Sequence, residues 1–364
     1  MVKYRAMKNK QLNFALVGCG RIAKRHSELL GRDVLKNAKL IAVCDTDIKK
    51  AEVIGNEYNI SYYSNMHVMM TSEIIDVVVV LTESGNHAKH TIELAPYGKH
   101  IVVEKPMALK VSDAEKMIEE CKRYGCQLFV VKQNRFNVPV VKLKEALDKQ
   151  RFGKIFLSTI RVRWSRDDNY YSQGWWRGRW DMDGGVLTNQ ASHHIDLLQY
   201  VMGDVKKVHG RSTNALAKIQ AEDTAIVSLE FENGGFGLIE ATTAIRPKDL
   251  EGSISVLGEN GSVEIGGFAV NKMIHWNFKY PENEDDLVLT KYSVNPPNVY
   301  GYGHQAYYEH VIESILNEKK PMVDGEEGLK SLRIISAIYE SIERKTEVPI
   351  DIPLKKCKLG KTYE

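Results

Sequence analysis

The chain has 364 residues, more than one hydrophobic core of ordinary size accommodates, so two domains are expected. Its apolar fraction of 43% and charged fraction of 27% are typical of globular proteins, and a net charge of +3 excludes a general attraction to nucleic acid or to a membrane surface. No apolar run approaches the roughly 20 residues that span a bilayer. The five cysteines have no metal-ligand or redox spacing, so we expect a reduced, cytoplasmic protein without a metal site.

Strands and helices alternate strictly through the first third of the chain. The apolar runs LNFALVG, AKLIAVCD, IIDVVVVLT, KHIVVEK and QLFVVKQN predict five strands, and segments with helical spacing separate them. Strands that are apolar on both faces are typical of a sheet covered by helices on both sides. The pattern therefore predicts an α/β fold with a doubly wound parallel sheet of the Rossmann type over residues 1–132.

The first strand runs into a glycine-rich turn that matches G-x-G-x-x-G/A. Gly18 permits the tight turn, Gly20 lets the backbone approach a pyrophosphate, and Ala23 allows the helix to pack closely on the sheet. Asp45 ends the next strand, where a carboxylate can accept hydrogen bonds from an adenosine ribose and would repel a 2′-phosphate. The motif predicts bound NAD rather than NADP. The alternative is a glycine turn beside a solvated aspartate.

The fourth strand ends in Glu104-Lys105-Pro106. Because proline has no N–H to donate to a sheet ladder, the strand stops there. The side chain of Lys105 is then left near the carboxyl edge of the sheet, which is where ligands bind in open parallel sheets. Lys105 is therefore a candidate for chemistry, and the alternative is a lysine that pairs with a nearby acid and only finishes the strand.

The second half, residues 133–364, has a different pattern. Its strands are longer and alternate with polar residues, and FENGGFG and LGENGSVEI predict hairpins with Asn-Gly turns. A helix over GGVLTNQASHHIDLLQYVMG and two closing helices at about 303–317 and 326–344 complete an α+β domain with a large open, mostly antiparallel sheet. We expect a second subunit to cover the free sheet face, which predicts a homo-oligomer packed sheet to sheet.

Residues 161–180, RVRWSRDDNYYSQGWWRGRW, contain four of the five tryptophans together with five arginines. Arginine binds phosphate and carboxylate through two parallel hydrogen bonds, and flat aromatic rings stack on planar groups. The segment therefore predicts a pocket for an anionic ligand, with the alternative of a core corner beside a solvated strand edge. The candidates for substrate contact are Arg163, Arg166, Trp176, Arg177 and Arg179.

Polar residues follow at the start of the predicted helix. Asn189 and His193 are four apart and would share a helix face, with Gln190 beside them. Adjacent histidines point in different directions, so of His193 and His194 only the first is assigned to the ligand. Asp196 is close enough in sequence to orient an imidazole or to cap the helix locally.

These features together resemble the glucose–fructose oxidoreductase/inositol dehydrogenase/MocA family over nearly the whole chain. The resemblance rests on GCGRIA, on EKP after the fourth strand and on the histidine that opens the first long helix of the second domain. The stretches FVVKQNRFN, WRGRWDMDGGVLTNQASHHIDLL, LEGSISVLGENGSVEIGGFAVNKMIHW and YGYGHQAYY are similar to the sugar-nucleotide branch of that family.

The resemblance implies roles for individual residues. In this family the lysine of EKP lies beside the nicotinamide and the reacting hydroxyl, and the proline is commonly cis. Many members carry aspartate where this chain has Asn189, so the acid–base role is left to Lys105 and His193, with Asn189 as a hydrogen-bonding positioner. The cofactor-binding set that the resemblance implies is Gly18, Gly20, Arg21, Ile22, Asp45, Thr82, Ser84, His87, Glu104, Lys105 and Gln133.

The resemblance also implies an activity. It is the NAD-dependent oxidation of the C3 hydroxyl of UDP-N-acetyl-2-amino-2-deoxy-D-glucuronate to a 3-keto sugar, a step toward diacetamido-uronic acids of surface polysaccharide, by a homotetramer. A dehydrogenase of a free sugar or polyol is the alternative within the family. A non-catalytic dinucleotide sensor is the alternative from another class, and it would need neither Lys105 nor His193.

Overall fold

The computed structural model describes residues 10–293 and 303–362. The chain forms two compact units, the first from the residues up to 131 together with 305–329, and the second from 132–304 together with the residues from 330 onward. The sequence predicted a single domain boundary between residues 132 and 133. Segment 305–329 follows that boundary in the chain but belongs to the first unit. Residues 300–302 of the YGYGHQAYY stretch lie outside the described ranges.

The first unit contains a parallel sheet of six strands in the order β3-β2-β1-β4-β5-β6. Its strands are β1 (Leu12–Val17), β2 (Ala38–Cys44), β3 (Ser61–Tyr63), β4 (Val77–Val80), β5 (His100–Val103) and β6 (Leu128–Val130). The predicted doubly wound parallel sheet is confirmed. The short edge strand β3 was not predicted, because two of its three residues are exposed and carry no apolar pattern.

Helices separate these strands. They are α1 (Ala23–Gly31), α2 (Ile48–Tyr58), α3 (Met66–Ser72), α4 (His87–Leu94) and α5 (Val111–Arg123), with 3₁₀ turns at Ser84–Asn86 and Ala95–Tyr97. Side chains cap two of them: Asp47 accepts the Lys49 N–H at the start of α2, and Asn65 accepts two N–H groups at the start of α3. No side chain caps α1, and its first turn is closed by backbone hydrogen bonds from Ala23 to the Gly20 carbonyl and from Arg25 to the Ile22 carbonyl.

The second unit contains an eight-stranded mixed sheet in the order β13-β12-β11-β7-β10-β9-β8-β14. Only the β7–β10 pair is parallel among the paired strands described, and both predicted hairpins, β9–β10 and β11–β12, are confirmed. The strands are β7 (Ile155–Arg163), β8 (Val205–Thr213), β9 (Thr224–Phe231), β10 (Phe236–Thr242), β11 (Glu251–Gly258), β12 (Gly261–Gly266), β13 (Lys272–Phe278) and β14 (Val348–Pro349).

The later helices are α6 (Val138–Asp148), α7 (Asp168–Ser172), α8 (Ser192–Met202), α9 (Asp285–Lys291), α10 (Gly303–Leu316) and α11 (Gly325–Arg344), with a 3₁₀ turn at Gln133–Phe136. The two closing helices agree with the expected ranges. In the part of the chain that the structure describes, no helix combines the length and apolar character needed to cross a membrane.

Helix α8 is shorter than predicted. It begins at Ser192, and the preceding residues form successive turns in which the Asn189 N–H donates to the Gly185 carbonyl at 3.0 Å. The Ala191 N–H donates to the Val186 carbonyl, five residues back, at 2.8 Å, whereas a regular α-helix pairs residues four apart. The prediction that Asn189 and His193 share one helix face is therefore wrong, since Asn189 precedes the helix.

One face of the second sheet carries exposed apolar side chains. Ile226, Phe236 and Leu238 are 55%, 57% and 43% exposed, and they lie on one side of the paired strands β9 and β10. Large apolar side chains in such a position are typical of a surface that another chain covers. Sheet-to-sheet packing of a homo-oligomer stays a prediction for this face.

A buried ion cluster joins α8 to the 3₁₀ turn that opens the second unit. Asp196 accepts two hydrogen bonds from Arg135, both at 2.8 Å, and lies 3.1 Å from the ammonium of Lys132. Burial alone would raise the pKa of Asp196, but the charges of Arg135 and Lys132 outweigh it and lower the pKa to about 2. Asp196 thus pairs with cations 61 and 64 residues away rather than orienting an imidazole or capping the helix as expected.

We predict that Asp196→Asn destabilises the protein by about 3–5 kcal/mol, because it leaves Arg135 and Lys132 buried without a full countercharge. Urea-induced unfolding followed by circular dichroism measures the change. Glu145→Gln is the matched control: Glu145 pairs with Lys142 at 3.2 Å but its side chain is 54% exposed. Its removal should cost less than about 1 kcal/mol. Equal unfolding midpoints for the two variants would contradict the prediction.

Candidate active site

The glycine turn of the first unit has the geometry that its sequence predicted. Gly18 has φ +100°, and a Cβ at this position would lie 2.7 Å from the backbone of Leu81, so only glycine fits. Gly20 has no other atom within 4 Å of an added Cβ, which leaves open space above the backbone. Ala23 is fully buried and begins α1. The turn can therefore accept a close approach by a ligand at the uncapped end of α1.

Asp45 is held against this turn. Its Oδ2 accepts the N–H of Cys19 at 2.8 Å, and its Oδ1 accepts the N–H of Asp47 at 2.9 Å. Each carboxylate oxygen keeps a second lone pair for another donor. Arg21, beside the turn, is exposed. The carboxylate predicted to bind a ribose is thus oriented by the same loop that is predicted to bind the pyrophosphate.

The EKP segment follows β5 at the carboxyl edge of the first sheet. The peptide bond between Lys105 and Pro106 is cis, as the resemblance implies. The Glu104 carboxylate is buried, lies 3.2 Å from His26 Nε2 and accepts the N–H of Lys105 at 2.9 Å. His26 Nδ1 in turn contacts the Tyr308 hydroxyl at 2.5 Å. Glu104 is therefore part of a buried hydrogen-bonded chain, and Lys105 is half-buried at its end.

The predicted cofactor residues after β4 lie close to this turn. His87 contacts two carbonyl oxygens, that of Pro106 at 2.7 Å and that of Thr82 at 2.9 Å. Burial lowers the pKa of His87 and outweighs these two carbonyl groups, which favour the charged ring. The Thr82 hydroxyl contacts His90 Nδ1 at 3.0 Å, and Ser84 begins the 3₁₀ turn that follows. His87 thus ties the end of β4 to the turn after β5.

In the second unit, His193 lies at the start of α8 and contacts Gln133, with 3.0 Å between the two Nε2 atoms. Since an amide nitrogen donates, this contact assigns the acceptor role to Nε2 and the proton to Nδ1. His194 is fully buried with its ring edge-on to Trp164, and burial lowers its pKa to about 3. The two histidines differ as expected: only His193 keeps exposed surface.

Two of the candidate arginines are already neutralised by acids. Arg163 makes two hydrogen bonds of 2.6 Å to Glu240 and one of 2.9 Å to Glu251. Arg166 donates to Asp249 at 2.9 Å. Both arginines are therefore already paired with carboxylates of the protein, so they are weaker candidates for binding an anionic ligand.

Arg177 is different from its neighbours. Arg179 pairs with Asp181 at 2.9 Å, whereas Arg177 has no carboxylate within ion-pair distance among the described residues. It donates to the Tyr170 hydroxyl at 2.7 Å and lies over the rings of Trp176 and Tyr170, 4.4 and 4.3 Å from their centres. Its Nε is buried and makes no hydrogen bond. Arg177 is thus the candidate arginine best able to bind an external anion.

Two further residues near Arg177, Asn189 and Gln190 were not predicted from the sequence, namely Tyr170 and Asp183. The Tyr170 hydroxyl also receives a hydrogen bond from Gln190 at 3.4 Å, and the Asp183 carboxylate accepts one from the Asn189 amide at 2.6 Å. Asp183 is one of 47 acidic residues, and nothing in its local pattern distinguishes it from a solvated one. Only the fold brings these side chains to Asn189 and Gln190.

A buried carboxylate supports the loop that carries Asn189. Glu222 accepts the N–H of Leu187 and the hydroxyl of Tyr339, both at 3.0 Å, and the same hydroxyl lies 2.9 Å from Thr188 Oγ1. Burial raises the pKa of Glu222 to about 7. The loop is therefore fixed at Leu187 and Thr188 by hydrogen bonds that do not involve its candidate catalytic side chains.

Comparison with known proteins agrees with this geometry. The family profile described as "Oxidoreductase family, NAD-binding Rossmann fold" matches residues 12–132, and "Oxidoreductase family, C-terminal alpha/beta domain" matches residues 144–350; both belong to the Gfo/Idh/MocA group. Myo-inositol 2-dehydrogenase of Thermotoga maritima is 27% identical over 355 residues, which cover 93% of this chain and 99% of the relative.

Two solved structures are more similar. The WlbA dehydrogenase of Bordetella pertussis, in complex with NADH and UDP-GlcNAcA, is 38% identical, with a TM-score of 0.90 over 95% of this chain and 99% of that one. The WlbA dehydrogenase of Chromobacterium violaceum, in complex with the same two ligands, is 38% identical, with a TM-score of 0.88 over 96% and 98%. The chain therefore belongs to the glucose–fructose oxidoreductase/inositol dehydrogenase/MocA family and is an NAD-dependent dehydrogenase that acts on a CH–OH group.

Proposed function

We propose that the protein oxidises the C3 hydroxyl of UDP-N-acetyl-2-amino-2-deoxy-D-glucuronate to the 3-keto sugar with NAD. The product ketone prepares C3 for a later transamination, as the formation of a diacetamido-uronic acid for surface polysaccharide requires. The proposal includes a cytoplasmic homotetramer. The observation that carries it is Arg177, which lies beside aromatic rings and has no carboxylate partner within residues 10–293 and 303–362, in a chain similar to two dehydrogenases solved with UDP-GlcNAcA.

The substrate has fixed negative charges at its diphosphate and its uronate. Arg177 offers a guanidinium whose Nε is buried and makes no hydrogen bond, and a charge-assisted bond to phosphate or carboxylate would satisfy it. The ring of Trp176, stacked on that guanidinium, provides a flat surface nearby. A free polyol has no charge for Arg177 to bind, so the site would leave this cation without a function.

NAD accepts the hydride from C3 when it is bound. The residues that would hold it fit the group, since Gly20 leaves room for the pyrophosphate and the Asp45 carboxylate is fixed beside the glycine turn. We assign removal of the hydroxyl proton to Lys105 or His193. His193 has its proton on Nδ1, and its basic atom Nε2 accepts the Gln133 N–H, so proton uptake at Nε2 requires that contact to open. Asn189 has no proton to exchange at neutral pH and is assigned to positioning.

A dehydrogenase of a free sugar or polyol is the second candidate. The observation that favours it is the set of proteins that this chain resembles. They include the inositol dehydrogenase, which is 27% identical, and D-glucoside 3-dehydrogenase of Escherichia coli, which is 24% identical. The two candidates differ in whether the substrate carries a nucleotide.

Incubation of the protein with NAD and a panel of alcohols, followed by NADH absorbance, distinguishes them. The panel contains UDP-GlcNAcA, UDP-GlcNAc, the uronic acid without UDP, and myo-inositol. We expect reduction of NAD with UDP-GlcNAcA, including a single stoichiometric burst if NADH stays bound. Efficient turnover of the free uronic acid or of myo-inositol, and none of the UDP ester, would exclude the proposal.

Arg177→Gln should raise the KM for UDP-GlcNAcA by about 10–100-fold, because a hydrogen bond to a charged group contributes about 1.5–3 kcal/mol. Steady-state kinetics with the purified variant measure this change. Arg163→Gln is the matched control, and its KM should stay near the wild-type value since two glutamates already neutralise Arg163. A larger increase in the control than in Arg177→Gln would move the anion site to Arg163.

Asp45→Ala should narrow the preference for NAD over NADP. The carboxylate disfavours a 2′-phosphate by like-charge repulsion, and alanine removes that charge. Isothermal titration calorimetry with both cofactors measures the ratio of the dissociation constants for wild type and variant. Equal affinities of the wild type for NAD and NADP would show that Asp45 does not select the cofactor.

Lys105→Met keeps the length of the side chain and removes its proton-transfer group. If Lys105 removes the hydroxyl proton, kcat should fall by about 10²–10⁴-fold while the affinity for NAD changes little. His193→Asn, which retains a hydrogen bond but not a base, should lose a comparable or smaller factor. Near-normal kcat in a folded Lys105→Met variant would leave His193 as the base.

A further inference from the structure

The Asn189 side chain is held by a buried carboxylate. Its Nδ2 donates to Asp183 Oδ1 at 2.6 Å, and Asp183 is only 2% exposed. The other oxygen of Asp183 accepts the N–H of Gly178 at 3.3 Å. The Asp183 N–H donates to the Arg179 carbonyl at 2.9 Å, which fixes the backbone below the carboxylate. The carboxylate that accepts the hydrogen bond of Asn189 is therefore buried and is held by a tight turn.

The charge of Asp183 acts on further polar groups. The titratable groups that face it among the described residues include Tyr170 and Tyr171, whose pKa values are raised first by burial and further by this carboxylate. The Tyr170 hydroxyl connects to Arg177 and Gln190 through hydrogen bonds. The negative charge of Asp183 thus acts on a hydrogen-bonded group of neutral and cationic side chains, and this group includes candidates for substrate contact.

We propose that Asp183 is a positioning residue that fixes the orientation of the Asn189 amide. An amide offers a donor and an acceptor of nearly equal shape, so packing alone does not choose between its two orientations. A carboxylate beside the amide does choose, since it attracts Nδ2–H and repels Oδ1. Oδ1 of Asn189 is therefore directed away from Asp183, and the amide has one fixed orientation.

The same geometry explains why residue 189 is an amide. A carboxylate at this position would place two acidic oxygens about as close as the present hydrogen bond, and like charges at that distance share one proton. Asn189→Asp should then work only when the pair carries a proton, which shifts the pH profile of kcat toward acid. The reciprocal variant, Asp183→Asn with Asn189→Asp, again combines one acid with one amide.

The test compares kcat of Asp183→Asn, Asn189→Asp and the reciprocal double variant from pH 5 to 9. The choice of UDP-GlcNAcA as substrate rests on the proposed function. We expect each single variant to lose about tenfold or more in kcat at neutral pH, the loss of one charge-assisted hydrogen bond, with the KM for NAD unchanged. The double variant should recover part of that loss. Asp181→Asn is the matched control, because Asp181 lies two residues away, pairs with Arg179, and should leave kcat unchanged.

Three results would overturn the inference: wild-type kcat in Asp183→Asn, a double variant slower than both single variants, or an equal loss in the Asp181 control. If Asp183→Asn did not fold or bind NAD, the double variant would decide, since recovery of folding and turnover requires the pair. A failure of the proposed function is separate. It would appear in the wild type as turnover of a free sugar instead, and the same variants would then be compared on that sugar.

Discussion

The second unit depends on a buried carboxylate that holds two elements together. Asp196 on α8 binds Arg135 and Lys132 of the segment that opens the unit, and the contact between Gln133 and His193 spans the same two elements. Ion pairs in a protein interior contribute little net stability, because the charges lose their hydration, but their geometry is specific. The ion pair and the contact of the His193 ring therefore join α8 to the same short segment of the chain.

The loop before α8 is also held in place by buried acidic side chains. Glu222 and Tyr339 hold the backbone at Leu187 and Thr188, and Asp183 holds the side chain of Asn189. Buried acids thus define the positions of the candidate residues from outside the site. In a desolvated environment each of these hydrogen bonds is strong and costly to break, which keeps the loop in one conformation.

Much of the first unit was predictable because its signals are local. Apolar runs bounded by turns identified five of its six strands, and the glycine turn needed only Gly18 and Gly20 at the end of a strand. The short strand β3 and the start of α8 were not predictable. The first has no apolar pattern, and the second depends on an irregular turn in which the Ala191 N–H donates to the Val186 carbonyl five residues back.

The sequence by itself determined the alternating fold, the position of Asp45 at the end of a strand, and the segment that contains the candidate arginines. Which of these arginines pair with carboxylates of the protein was decided by the tertiary structure. Arg163 meets Glu240 and Glu251, 77 and 88 residues away, because β7 lies between β10 and β11, whereas Arg177 meets a tyrosine. A local pattern specifies periodicity and turns, but the pairing of charges depends on sheet register, and register brings together residues that are far apart in the chain.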